Sequence, residues 1–504
     1  MIQSPIKNNA AILSTWFNYG LLIAIFSCNF LSYPGLKYVY VIYGIFVLAV
    51  ILTFDFRATL PVLVSYSFIE GQGRILWNYH PVARIAFDSL IVIATLRSFV
   101  VTRDLNLRKI LPLPMLILIF FHFGWYLVEL FNLNSINLFA AFAGTKVYIF
   151  PFFLFVYFRK NDSEFDAELF RKLGNLIIFL LVCECALGLY QLQIKESMML
   201  AISPFYFKAM SGEIFTKDFF RPFGTTQLPG AISVFIFLTS SIFLIRKEIT
   251  KLVLILMPIL ISLFVITLII CQVRSAALKF SLVFIFSWIM IFYTSPQRYS
   301  LFFKTIFSSI IILPILVYFF YPRIQSLASN YLNLAPGMDR WEGISEVQDV
   351  ASQRTGFTKA VDLAIEKLQQ FPLGIGPAMT GAAGGLSADL MKTDPVFTKS
   401  TFWGYDNFYL SLIIEFGYGF IFYLGFILLV PYYLTIAFIK VLKQKNHYCA
   451  RIIGIGLVNI FVILTGNWGA IGISYNPESF YFWFWAAVGF NGYALALKEN
   501  HDPV

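Results

Sequence analysis

Charge is scarce in this sequence. Of 504 residues only 13% are Asp, Glu, Lys or Arg, while 59% are hydrophobic; a soluble domain carries about 25% charged and about 45–50% apolar residues. That balance excludes a chain whose whole surface faces water. Histidine is nearly missing, with four in the chain and none between 322 and 406. Cysteine is equally sparse. Cys28, Cys183, Cys185, Cys271 and Cys449 lie in or beside apolar stretches, without the spacing of a zinc site or the density of a disulfide framework. Cys183 and Cys185 flank Glu184 on one predicted helix, where positions two apart do not face each other. They read as small packing residues, and no metal or cofactor is expected. No cleavable leader is expected, because the first apolar run is long enough to remain as a span. The formal net charge of +10 could suit nucleic acid. Its distribution over short connections, described next, argues against that.

Apolar windows are plentiful. Spanning ~30 Å of hydrocarbon at 1.5 Å per residue takes about 20 residues. Such windows fall at about 10–31, 37–54, 58–70, 82–101, 110–131, 138–158, 173–193, 228–246, 251–271, 274–294, 304–321, 407–440, 450–467 and 475–497. The third is short, so 12–14 spans are expected in an all-α polytopic membrane protein. Lys and Arg in short loops set orientation. Arg103, Arg108 and Lys109 form one cluster, and Arg159, Lys160, Arg171 and Lys172 the next. Arg246, Lys247 and Lys251 follow, then Arg298 and Lys304, then Lys440, Lys443, Lys445 and Arg451. Neighbouring clusters are two spans apart, which puts all five on the cytoplasmic side with both termini. The intervening connections 132–137 and 468–474 contain no Lys or Arg.

Two long segments then fall outside, 194–227 and 322–406. The sequence divides into an N-terminal bundle (1–321), a large extracytoplasmic loop (322–406) and C-terminal spans (407–497). Within the loop, 353–370 reads as an amphipathic helix with an apolar stripe of Val361, Leu363, Ala364, Ile365 and Leu368, ended by Phe371-Pro372. Gly374, Gly376, Gly381, Gly384 and Gly385 follow, where a backbone can approach a ligand closely. Loops this long are usually functional.

Polar groups at membrane depth are functional candidates by default. Arg221 precedes one span, Arg274 opens another, and Lys146 lies near the outer end of 138–158. Asp406-Asn407 opens the first helix after the loop, with Glu415 two turns further in. Each has a plainer reading: Arg221, Arg274 and Lys146 as snorkelling anchors, Asp406 as a helix N-cap, Glu415 as a partner inside the bundle. Glu184 and His122 receive no role. Taken together, three cations and a carboxylate at one outer boundary suit an anionic lipid, because the planar guanidinium makes paired charge-assisted bonds to phosphate.

Four local patterns resemble the O-antigen ligase/polymerase superfamily of bacterial envelope enzymes. They are Glu129-Leu-Phe-Asn132-Leu-Asn134-Ser135 leading to Gly144-Thr145-Lys146; Arg221-Pro222-Phe223-Gly224-Thr225 before a span; Arg354 heading a helix that runs into Phe371-Pro372-Leu373-Gly374-Ile375-Gly376-Pro377; and Asp406-Asn407 followed by Gly417 and Gly419. Asn476-Pro477-Glu478 before an aromatic last span is similar too. The resemblance covers the chain from about 125 onward; the first four spans add only hydrophobicity.

The resemblance implies a GT-C-like membrane glycosyltransferase in the bacterial inner (plasma) membrane, working without a metal at its outer face. Such enzymes take a glycan from an undecaprenyl diphosphate carrier. Polymerases extend another lipid-linked repeat and ligases glycosylate lipid A core. The ligase signature has His where this chain has Asp406, which favours O-antigen, capsule or exopolysaccharide polymerisation over ligation; a lipid-linked glycan flippase is the other reading. Arg221 and Arg274 would hold the donor diphosphate with Arg354 and Lys146 assisting, and Asn407, Gly374 and Gly376 would line the substrate. Asp406 would orient or deprotonate the acceptor hydroxyl, and His80 is the reserve base. A carboxylate beside arginines loses basicity, which leaves orientation as its expected contribution. Implied partners are the undecaprenyl-diphosphate-linked donor and acceptor, membrane lipids, and a chain-length regulator and flippase of the same pathway. The arginines are expected to converge on one lipid-facing pocket beneath a lid made by the loop.

Overall fold

The computed structural model describes residues 5–77, 80–103, 108, 111–132, 138–161, 164–202, 222–226, 230–246, 251–271, 273–294, 303–304, 306–312, 314, 357–377, 379–380, 407–468, 472–474 and 476–501. Among these residues there is helix and no strand. Seven helices are long and apolar enough to cross a membrane, at Leu36–Thr53, Ile85–Thr102, Leu113–Leu130, Ala167–Ile194, Ser275–Thr294, Phe408–Lys443 and His447–Gly466, and two shorter apolar ones lie at Ile232–Ile245 and Leu256–Cys271. This is fewer than the 12–14 expected, for physical reasons. Some predicted spans are broken into short pieces, and half of 304–321 lies outside the described residues.

The chain separates into two compact units, each assembled from two stretches of sequence. Unit 1 comprises Met1–Ala94 and Ser163–Trp341, and unit 2 comprises Thr95–Asp162 and Glu342–Val504. This division cuts across the three consecutive segments read from the sequence.

Unit 1 contains α1 (Pro5–Phe30), α2 (Leu36–Thr53), α3 (Phe56–Leu76) and the first part of α4 (Pro81–Thr102). Leu22, Ile25, Tyr43, Val47, Leu60 and Leu63 form its apolar interior. The short span expected at 58–70 is a helix of 21 residues. The hydrophobic reading stopped at Glu70, but Glu70 and Arg74 are one turn apart and pair with each other, both buried. These first spans are also more than hydrophobic. Asn29 and Gln72 exchange side-chain bonds of 3.0 and 2.7 Å, the Tyr40 hydroxyl donates to Gln72 at 2.8 Å, and Asn18 donates to Ser65 at 3.0 Å. Removing one partner of a buried ion pair typically costs about 3–5 kcal/mol, whereas replacing both by apolar groups can be neutral. Glu70→Ala should therefore lower the thermal unfolding midpoint more than the double change Glu70→Leu/Arg74→Met; equal losses would remove the pair from the account.

The rest of unit 1 is α8 (Ala167–Ile202), α9 (Ile232–Thr239), a 3-10 turn at Ser240–Ile245, α10 (Lys251–Cys271) and α11 (Arg274–Thr294). The outer segment expected from 194 is helical as far as Ile202, because α8 runs for 36 residues. The span expected at 228–246 begins at Ile232 and tightens to 3-10 after Thr239.

Unit 2 holds the end of α4, α5 (Leu113–Leu130), α6 (Leu138–Tyr148), α7 (Phe150–Lys160), α12 (Phe357–Gln370), α13 (Phe408–Phe416), α14 (Phe420–Lys443), α15 (His447–Gly466) and α16 (Glu478–His501). The single span expected at 138–158 is two helices. Pro151 has no N–H for the carbonyl four residues back and its ring crowds that turn, so α6 stops at Tyr148 and α7 restarts. The Tyr148 carbonyl is taken by His122, whose buried Nε2 lies 3.2 Å away. A second break separates α13 from α14 at Gly417–Gly419. The core beneath both breaks is aromatic, with Phe152, Phe155, Tyr423, Phe426 and Trp483 buried together; Phe152 and Phe426 centroids are 4.7 Å apart and those of Phe426 and Trp483 5.4 Å. α15 approaches α16 closely at Gly456, where a Cβ would lie 2.9 Å from the Trp485 carbonyl oxygen. Small residues allow such contact between membrane helices.

Candidate functional site

In unit 2 the segment after α12 is a strap that docks on the end of α13. The amphipathic helix expected at 353–370 is described from Phe357, and Leu363, Ala364 and Phe371 pack on Ile375, Met379, Leu410 and Ile414. A helix leaves its last four carbonyls without intrahelical partners, and in a membrane each must be satisfied by protein. For α13 the account closes. Ile413 O takes the Gly417 N–H, Ile414 O the Ile375 N–H at 3.1 Å, Glu415 O the Gly376 N–H at 3.1 Å, and Phe416 O the Trp125 Nε1–H at 3.0 Å. The strap is held further by Tyr418 N–H donating to Pro372 O at 2.9 Å and by Asn132 Nδ2 donating to Gly374 O at 2.9 Å. Asn132 also donates to Glu129 at 2.6 Å.

Glu415 is fully buried and accepts from both Thr380 N–H at 2.7 Å and the Thr380 hydroxyl at 2.8 Å. Its reading as a group turned toward partners within the bundle therefore stands. At the other end of α13 the N-cap is Asn407, whose side chain accepts from Leu410 N–H at 3.1 Å. The plainer reading of Asp406 as that N-cap is thereby corrected; Asp406 itself lies outside the described residues.

In unit 1 a loop, Pro222–Thr226, is enclosed by helices. Gln191 accepts from Phe223 N–H at 3.0 Å and Gly224 N–H at 2.8 Å, and donates to Gly224 O at 3.0 Å. Glu184 accepts from Thr225 N–H at 3.0 Å and is bonded to the Thr225 hydroxyl. Thr225 also engages both members of one backbone step of α3. Its hydroxyl contacts Phe68 O at 3.1 Å and its carbonyl accepts from Gln72 N–H at 2.8 Å. Pro222 O accepts from Gly230 N–H at 2.8 Å, and the Cys271 thiol faces the same oxygen at 4.0 Å. Gly230, at φ +76°, passes so close to the α10–α11 turn that a Cβ would lie 2.6 Å from Val273 Cγ2 and 2.7 Å from the Cys271 carbonyl oxygen.

The expected site residues distribute as follows. Gly374 and Gly376 lie on the strap at the C-terminal end of α13, and Asn407 lies at its N-terminal end, so the three are not brought together. The close approach that Gly374 permits is to the Glu415 backbone. Lys146 is half-buried in the last turn of α6, in the same unit. Arg274 is the first residue of α11, directly after the turn that meets Gly230. His80 is exposed, between α3 and α4 in unit 1. Arg221, Arg354, Gly381, Gly384 and Gly385 lie outside the described residues. Glu184 and Gln191 were missed by the sequence reading, although a signal existed. Glu184, Gly188 and Gln191 follow at i, i+4 and i+7, a polar and small stripe down one face of an apolar helix.

These features define a polytopic helical membrane protein whose two units each hold a non-helical segment at the ends of discontinuous helices. No protein-family model matches the chain, and no curated protein matches it.

Proposed function

We propose that this protein is a membrane glycosyltransferase that polymerises undecaprenyl-diphosphate-linked oligosaccharide repeats into O-antigen, capsule or exopolysaccharide at the outer face of the bacterial inner membrane. The observation that carries the reading is the approach of Pro222 and Gly230 to Cys271 and Val273, at the turn between α10 and α11. Two arginines far apart in sequence, Arg221 and Arg274, adjoin those two segments. Paired guanidinium groups are the side chains best suited to a diphosphate.

On this reading Arg221 and Arg274 hold the donor diphosphate and stabilise its charge as the glycosidic bond breaks. The acceptor hydroxyl attacks the anomeric carbon, its proton leaves to a carboxylate, for which the resemblance offers Asp406, or to water, and undecaprenyl diphosphate departs. Asn132, Glu415 and Thr380 keep the strap seated.

The experiment is incubation of the purified protein with a lipid-linked repeat. A ladder of longer lipid-linked products is expected, with release of undecaprenyl diphosphate. Release without a ladder would favour ligation to lipid A core or hydrolysis. A second reading, transport of lipid-linked glycan, draws support from the helix breaks at Ile149 and at Gly417–Gly419, since transporters place discontinuous helices at their sites. Movement of the lipid-linked repeat across vesicles with no bond change would establish that reading and exclude the enzyme.

A further inference from the structure

Glu184 and Gln191 are fully buried in α8, in a stretch long and apolar enough to span a bilayer. Polar side chains there are rare and default to a functional assignment, because apolar residues would sit at such positions at lower free energy. Both are spent on one object. Three successive N–H groups of the Pro222–Thr226 loop, those of Phe223, Gly224 and Thr225, end on these two side chains. Gly188, between them, leaves room for the loop, since a Cβ there would lie 2.7 Å from Ile232 Cδ1 and 3.6 Å from Pro222 Cβ. Among the described residues no Lys or Arg is paired with Glu184; its partners are the Thr225 amide and hydroxyl.

The loop's conformation needs this support. Gly224 has φ +60°, and a Cβ on it would lie 1.9 Å from Glu184 Oε2. A loop enclosed by membrane helices, with four amide N–H groups and no regular ladder, persists only where those groups are satisfied; Thr226 N–H turns back to Phe223 O at 3.0 Å, which leaves three. The carboxyl and amide of α8 satisfy all three. Pro222, joined by one peptide bond to Arg221, is tied through its carbonyl to Gly230 N–H, and Gly230 abuts the turn that leads into Arg274. The loop and the turn are one mount.

We infer that Glu184 and Gln191 are positioning residues for the donor diphosphate site: they fix the mount from which Arg221 acts and do not themselves touch substrate. This rests on the reading above, in which Arg221 and Arg274 bind diphosphate. A catalytic site held by a fully bonded supporting layer keeps its geometry to within a fraction of an ångström, and loosening that layer lowers the rate without removing any reacting group.

The test uses the full-length protein in lipid nanodiscs, as wild type, Glu184→Ala, Glu184→Gln, Gln191→Ala, Arg221→Ala and the double variant Glu184→Ala/Arg221→Ala. Three quantities are read: amide exchange of peptides covering 222–226, binding of undecaprenyl diphosphate, and kcat and KM for extension of a lipid-linked repeat. Glu184→Ala and Gln191→Ala should accelerate exchange at 222–226 and lower kcat at least tenfold per folded molecule. Glu184→Gln should recover most of the rate, because an amide can accept from Thr225 N–H and donate to its hydroxyl. Arg221→Ala should cost much less in the Glu184→Ala background than in wild type.

Additive losses would overturn the inference, and so would full activity per folded molecule in Glu184→Ala and Gln191→Ala. Unchanged exchange at 222–226 in both variants would also overturn it. A wild-type protein that neither binds undecaprenyl diphosphate nor extends a chain removes the proposed function, and this inference with it. An active wild type with an additive cycle removes the inference alone.

Discussion

Arg221→Ala and Arg274→Ala should each leave the protein inserted and folded while lowering chain extension by about 10²–10³-fold, the effect of losing one donor aimed at developing negative charge. In the proposed reaction the leaving group is a diphosphate ester, whose charge would rise as the glycosidic bond breaks, and a fixed guanidinium would be worth more in the transition state than in the ground state. KM should therefore change less than kcat. Arg→Lys at either position keeps the charge but loses the planar fork, so an intermediate rate is expected, well below wild type. The measurement is the rate of ladder growth per folded molecule, with thermal unfolding as the control. If both alanine variants extend chains at the wild-type rate, the arginines do not hold the donor. Loss of rate together with loss of folded protein would instead mean that they hold the loop and the α10–α11 turn in place.

How much of this was legible beforehand depended on the kind of signal. Hydrophobic periodicity and length located α2, α4, α5, α10 and α11 well, because each carries an unbroken and predominantly apolar run. The same signal failed where charged or helix-breaking residues lie inside a span. Glu70 ended the predicted third span because its partner Arg74 is itself a charge, and only their pairing lets α3 continue. Pro151 and Gly417 were visible in the sequence, but an apolar window counts neither, so two broken helices read as continuous. Asp406 reads from the sequence as a cap, and only the Asn407 bond to Leu410 N–H shows that its neighbour holds that place. Glu184 and Gln191 could have been found from their helical spacing; their target, a loop more than 30 residues further on, could not.

The largest expected effect on stability is at the strap. At Gly417, φ is +51° with ψ −138°, a region that side-chain-bearing residues hardly enter. A Cβ there would lie 2.1 Å from Pro372 O and 2.5 Å from Gly374 N; at Gly374, where φ is +99°, it would lie 2.2 Å from Glu415 O. All of these are backbone atoms, with no side chain to rotate away. Either Gly→Ala change must push the strap off α13, breaking the bonds from Ile375, Gly376 and Tyr418 and exposing two membrane carbonyls without partners. At about 1 kcal/mol for each bond and about 1–3 kcal/mol for each unsatisfied group, the loss is at least about 3 kcal/mol. Gly374→Ala and Gly417→Ala should accordingly lower the unfolding midpoint markedly and deprotect the Ile375 and Gly376 amides. Gly44→Ala in α2, where a Cβ meets nothing within 4 Å, should be neutral or stabilising, since Ala outranks Gly inside a helix by about 1 kcal/mol. Were all three variants to melt alike, the strap would not be held by backbone contact, and Asn132 and Thr380 would have to hold it alone. The strap also links stability to chemistry. It secures the end of α13 opposite Asn407, so a variant that frees it should lose polymerising activity at temperatures where the rest of unit 2 is still folded.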